Sequence, residues 1–310
     1  MKDLQYNKRT SLVLAGVVVV AAALLIVFVF FSFKRTSSRL RFEDVFQNVL
    51  RKNQLVSMMR INVHASVEAE KSAVLADTDE ASQGFADHAT QASTVVEQSR
   101  REIGQLIEAG GVAKEMDLLR EFNSCWERFQ EIDRTLLPLA VQNTNLKAFS
   151  LSFGPASEAI RRMELALAGL IDSNFSSAEA SRIVKLSFEA LTAAVKIHAS
   201  QAPHIAEISD AKMDQIEAVM SEYDQVVNDS LNALGALIDA TGKPSLDAAR
   251  VAYEDFKRIN SEVIKLSREN SNVRSLALSL GQKRKVTAQC EEVLVALYDT
   301  VQSTRFKATK

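Results

Sequence analysis

Hydrophobic residues recur at steps of three and four along two stretches of this chain, and the two stretches match. The first runs Trp126, Phe129, Ile132, Leu136, Leu139, Asn143, Leu146, Ser150, Phe153. The second runs Tyr253, Phe256, Ile259, Val263, Leu266, Asn270, Val273, Ala277, Leu280. Trp126–Gly154 and Tyr253–Gly281 align without a gap at an offset of 127 residues. Such spacing keeps one face of a helix apolar, so each copy predicts a long amphipathic helix. Weaker matches extend the repeat: His64-Ala-Ser pairs with His198-Ala-Ser, and Ile103-Gly-Gln-Leu-Ile with Leu234-Gly-Ala-Leu-Ile. The chain reads as two helical repeats, over residues 36–172 and 177–306.

Breakers are few and fall at similar places in both halves. Asp77–Glu80 predicts a bend, because Asp and Thr side chains compete for backbone hydrogen bonds. Gly110-Gly111, the loop 172–177 and Thr241–Pro244 predict helix ends; a break is expected near Gly154-Pro155, and the second-stripe helix is expected to run past Gly281 to about Val301. Pro138 and Pro203 predict kinks inside helices. Long amphipathic helices must pack together to bury their stripes. The expected fold is therefore all-α: one elongated antiparallel bundle of two repeated hairpins, or two stacked bundles if the breaks near 78, 155, 203 and 281 hold.

A different pattern opens the chain. After a polar tail at 1–10, residues 11–33 carry no charge. At 1.5 Å per residue this run covers roughly 34 Å, enough to cross a bilayer. Lys34-Arg35 ends it without a cleavage signal, so a single uncleaved span is expected. Lys2, Lys8 and Arg9 precede the span and Lys34, Arg35, Arg39 and Arg41 follow it, which leaves its orientation open. Residues 307–310 form a short tail.

Composition agrees with long helices, since 310 residues include only 10 Gly and 4 Pro. A net charge of -2 supplies no basic surface for nucleic acid. Cys125 and Cys290 do not occupy matching repeat positions, and two separate buried thiols are expected.

Candidate chemistry is sparse. Asn143 and Asn270 lie on the apolar stripe, where an amide is costly unless hydrogen-bonded. They could fix helix register, or line a polar ligand pocket with Asn145 and Asn272. Arg60, between Met59 and Ile61, could hold a small carboxylate or sit as an ordinary interface arginine. The histidines match neither Glu-x-x-His nor His-Glu-x-x-His spacing, and no paired CxxC or phosphate-binding glycine loop appears. No catalytic group, metal site or cofactor is expected.

The segments MRINVHASVEAEK and LREFNSCWERFQEIDRTLLPLAVQNTNLKAF, following a membrane span, resemble the four-helix-bundle sensor domain of methyl-accepting chemotaxis receptors, in tandem form. The resemblance implies a homodimeric receptor of the bacterial inner membrane, its bundle outside the cytoplasm, that binds a small ligand and acts through a signalling partner. With no signalling hairpin following Val301 in this sequence, the resemblance implies either the sensor part of a longer protein or a stand-alone tethered bundle, lacking its own output domain, that signals through a partner. The competing expectation is a tethered helical scaffold that docks a protein partner.

Overall fold

The computed structural model describes residues 46–308, and among them every regular element is helical. The first repeat contributes α1 (46–75), α2 (Asp79–Gly110), α3 (Ala113–Gln142), α4 (Thr144–Leu151), a π-turn (Ser152–Ala156) and α5 (Ser157–Ser173). The second contributes α6 (Ala180–Ala206), α7 (Asp210–Gly235), α8 (Lys243–Glu269), α9 (Ser271–Leu278), a second π-turn (Ser279–Lys283) and α10 (Arg284–Ala308). The same five helices and one π-turn thus occur twice in the same order. No helix among the described residues is long and apolar enough to cross a membrane. The span expected at 11–33 lies outside those residues.

The chain divides into two compact units, and these do not follow the repeat boundaries. Among the described residues, one comprises 46–62, Thr94–Ser124 and 290–308. Its core draws on four helices: Val56 and Met59 from α1, Ile103 and Ile107 from α2, Phe122 from α3, Leu294 and Leu297 from α10. Burying each large apolar side chain contributes about 1.5–3 kcal/mol. Among these apolar residues Lys52 and Glu115 form a buried ion pair at 2.7 Å.

The other unit comprises Val63–Ser93 and Cys125–Gln289. Its largest apolar cluster joins α5, α6, α7 and α8 through residues such as Leu167, Ile197, Leu231 and Phe256. A smaller cluster joins Ala73 and Val74 of α1, Ala86 of α2, and Leu136 and Ala140 of α3.

Three sequence expectations need correction. The helix does not break at Gly154-Pro155; it widens into a π-turn and continues, and the second-stripe helix passes Gly281 as expected, through a matching π-turn. In the first, the wider turn accommodates Pro155, which has no N–H to donate and would crowd a normal α-turn. The interruptions fall instead at Asn143 and Asn270, with φ 50° and 53°. Asn tolerates this left-handed conformation better than other residues with a Cβ.

The stripe is the second correction. Of its positions, Trp126, Phe129, Leu136, Tyr253, Phe256, Ile259 and Val263 are buried and Ile132 is half-buried, but Leu146, Phe153 and Leu280 are exposed. A single left-handed residue re-phases the helix, so the buried face passes to Asn145, Ala148 and Ser152.

The third concerns the cysteines. Cys125 and Cys290 are buried but not thiols; both are disulfide-bonded. Spacing along the chain carries no signal for disulfide bonding, which depends on three-dimensional geometry.

Candidate functional site

The helix breaks of the two repeats meet in the larger unit and exchange hydrogen bonds. The Asn145 N–H donates to Asn272 Oδ1 at 3.1 Å, and the Asn272 N–H donates to Asn145 Oδ1 at 3.2 Å. One residue earlier the exchange repeats: the Thr144 N–H donates to Ser271 Oγ, and the Ser271 N–H to Thr144 Oγ1, both at 3.0 Å. These are the orphan amides of two helix N-termini, each capped by a side chain of the other. The amide groups complete the set. Asn145 Nδ2 donates to Asn270 Oδ1 and to the Ile205 carbonyl, both at 2.8 Å, while Asn272 Nδ2 donates to Asn143 Oδ1 at 2.9 Å. Asn143 Nδ2 reaches Ser82 Oγ, and Asn270 Nδ2 the Glu207 carbonyl.

Asn143, Asn145, Asn270 and Asn272 are therefore brought together, as a closed network. None of them lines the groove between α3 and residues 278–289. Arg60 is elsewhere, in the smaller unit, where its Nε and Nη2 pair with Glu291 Oε1 at 2.9 and 2.5 Å.

A groove of about 550 Å³ runs between α3 and the segment from Leu278 to Gln289. Ile132, Leu278 and Val286 give it an apolar floor; Arg128 and Lys285 bring positive charge and Glu131 negative charge. Arg128 also donates to Gln289 Oε1 across the groove at 3.0 Å. The second π-turn lies within this stretch, and π-turns are frequent where a helix has been reshaped for function.

Beneath the helical surface three charged side chains meet: Glu70 of α1, Asp133 of α3 and Lys283, which closes the second π-turn. Glu70 and Lys283 are 0% exposed and Asp133 9%. Lys283 bonds Asp133, reaches the Phe129 carbonyl at 3.3 Å, and places its ammonium 3.0 Å from the Phe129 ring centre. Burial pushes Asp133 above the usual carboxylate range and Lys283 down to about 8, against the mutual attraction of the pair. Neither Glu70 carboxylate oxygen has a hydrogen-bond partner. Burial raises Glu70 as well; the nearby Ser279 hydroxyl and Lys283 oppose that shift but stand outside good bonding geometry. Sequence reading passed over all three, because isolated Glu, Asp and Lys residues normally face water.

A further constellation escaped sequence reading. His204, fully buried, contacts Ser267 Oγ at 2.7 Å through Nδ1 and Glu217 Oε1 at 2.8 Å through Nε2. The order hydroxyl–imidazole–carboxylate resembles a nucleophile assembly. Ser267, however, is 0% exposed and donates to the His204 carbonyl at 2.9 Å, so its hydroxyl faces no space for a substrate. Arg268 bonds Glu217 and Asp214. Burial alone would raise Glu217, but Arg268 and His204 hold it below the usual range. The group ties α6, α7 and α8 together.

No protein-family profile, curated protein or solved structure matches this chain.

Proposed function

We propose that this chain is a membrane-anchored helical sensory module, chemoreceptor-like in character, that binds a small molecule and passes on a helix displacement. The observation that carries the proposal is the groove at the second π-turn. It offers an apolar floor beside separated charges of both signs, which suits a small polar metabolite with an apolar portion. The wall from Leu278 to Gln289 includes a π-turn, a departure from α geometry frequent at functional sites. Shifts of about 1–2 Å are the usual scale of such switching. The span at 11–33 would tether the module to a bacterial inner membrane. The disulfide supports a location outside the cytoplasm, since disulfides persist in oxidising compartments. In this reading the module works as a homodimer and hands its signal to a partner protein.

One observation favours a second reading, a tethered scaffold. The closed asparagine network satisfies its own polar groups and fixes the relation of two helices, as a rigid spacer requires. A thermal-shift screen of the purified chain against amino acids, carboxylates and other small metabolites separates the two. The sensory reading expects a saturable rise in melting temperature that disappears in Arg128→Ala at unchanged helicity. A flat screen on folded protein supports the scaffold.

A further inference from the structure

The duplicated architecture supplies an internal control for the buried charges. Glu70 stands nine residues before Asp79, which opens α2; Gln201 stands nine before Asp210, which opens α7. Asp133 stands ten residues before the left-handed Asn143, and Asn260 ten before the left-handed Asn270. Ser279 and Lys283 begin and end one π-turn; Ser152 and Ala156 begin and end the other. The counterpart of Glu70, Asp133 and Lys283 is thus Gln201, Asn260 and Ala156.

The second set is the first with its charges removed. Gln201 is also 0% exposed, and its Nε2 donates to Asn260 Oδ1 at 2.7 Å. An amide pair therefore occupies this position without charge, Gln201 Oε1 being left without a partner. Two carboxyls and one ammonium are not needed to build the turn, and when all are ionised they leave a net negative charge in an apolar interior. An isolated buried charge is strongly disfavoured and is relieved by changing protonation state. Lys283 already gives its hydrogen bonds to Asp133 and Phe129. Glu70, with two unpartnered oxygens, is the carboxyl left to take the proton.

We propose that Glu70 is a proton-binding site whose occupancy sets the state of the π-turn Ser279–Lys283, making the larger unit responsive to pH. The charges acting on Glu70 are Lys283 from the π-turn, Asp133 from α3 and Lys71 on its own helix. Protonated, Glu70 is neutral and leaves Lys283 to Asp133. Ionised, it becomes a second carboxylate competing for the same ammonium, whose backbone closes the π-turn. This proton site stands independently of any small molecule in the groove.

The chain carries its own reporter. Trp126, the single tryptophan, stacks on Phe129 at 4.7 Å, and Phe129 underlies the Lys283 ammonium. Tryptophan fluorescence of the full chain is followed against pH, together with the carboxyl stretching band in pH-difference infrared spectra. The proposal expects a fluorescence step above the ordinary glutamate range, accompanied by loss of one protonated-carboxyl band. Both disappear in Glu70→Gln and persist in Asp117→Asn, an exposed control. The combined variant Glu70→Gln, Asp133→Asn, Lys283→Ala copies the other repeat and serves if the single variant does not fold. A step and band that survive removal of the Glu70 carboxyl overturn the proposal, as does a wild-type chain with neither.

Discussion

Asn145 and Asn272 cap each other: each accepts, on its side-chain oxygen, the backbone N–H of the other, at 3.2 and 3.1 Å. Because Asn145 also donates to Asn270 and Ile205, its truncation strands several buried polar groups at once. Asn145→Ala and Asn272→Ala are each expected to cost about 1–3 kcal/mol for every buried group left without a partner. The double variant should cost less than the sum, by about 0.5–3 kcal/mol. At Asn143 the backbone adds its own demand, so Asn143→Gly should be about 1–2 kcal/mol less damaging than Asn143→Ala. Urea unfolding of the five proteins measures these differences.

The pH dependence of stability has a definite sign. Burial raises both Glu70 and Asp133 in the folded chain. Their contribution is fully present below the ordinary carboxylate range and is lost as pH rises through the raised values. Lys283 behaves oppositely. Lowered from 10.5 to about 8, it contributes stability present above the ordinary lysine range and lost as pH falls through about 8. Urea midpoints at about pH 5, 7 and 10 should show the triad's contribution lowest in the middle. Subtracting the profile of the variant that copies Gln201, Asn260 and Ala156 isolates that contribution.

Lys52 and Glu115 are a buried ion pair in an apolar setting. Removing one partner leaves an uncompensated charge, and Glu115→Ala should cost about 3–5 kcal/mol. Replacing both, as Lys52→Met with Glu115→Leu, should be neutral or stabilising by about 1–4 kcal/mol. Thermal unfolding of the single and double variants checks the reversal.

Because both cysteines are disulfide-bonded, alkylation of denatured, unreduced protein should add no label to Cys125 or Cys290, as read by mass spectrometry. The variant Cys125→Ser, Cys290→Ser should unfold about 2–5 kcal/mol more easily.

How far the sequence could be read follows from where local rules apply. The stripes from Trp126 and from Tyr253 were legible because helical periodicity is a local property, and their first halves are buried as spacing requires, apart from the half-buried Ile132. Extrapolation failed at Asn143 and Asn270, since it assumes constant rotation per residue and one left-handed residue breaks that assumption. The hint was present: an Asn on an apolar stripe, at the same place in two copies. Pro155 marked an irregularity but not its form, because a π-turn relieves the same clash that a break would. Glu70, Asp133 and Lys283 come from three distant helical segments, so only the fold assembles them. Their amide counterparts Gln201 and Asn260 become informative once the repeats are aligned from helix starts rather than from the stripes alone.

The most direct measurement of the sensory account is amide hydrogen exchange on the full chain, with and without the compound giving the largest thermal shift. The account predicts slowed exchange concentrated in residues 128–135 and 278–289, where the groove and the second π-turn lie. Protection confined to other segments, or no compound that shifts exchange at all, would contradict it.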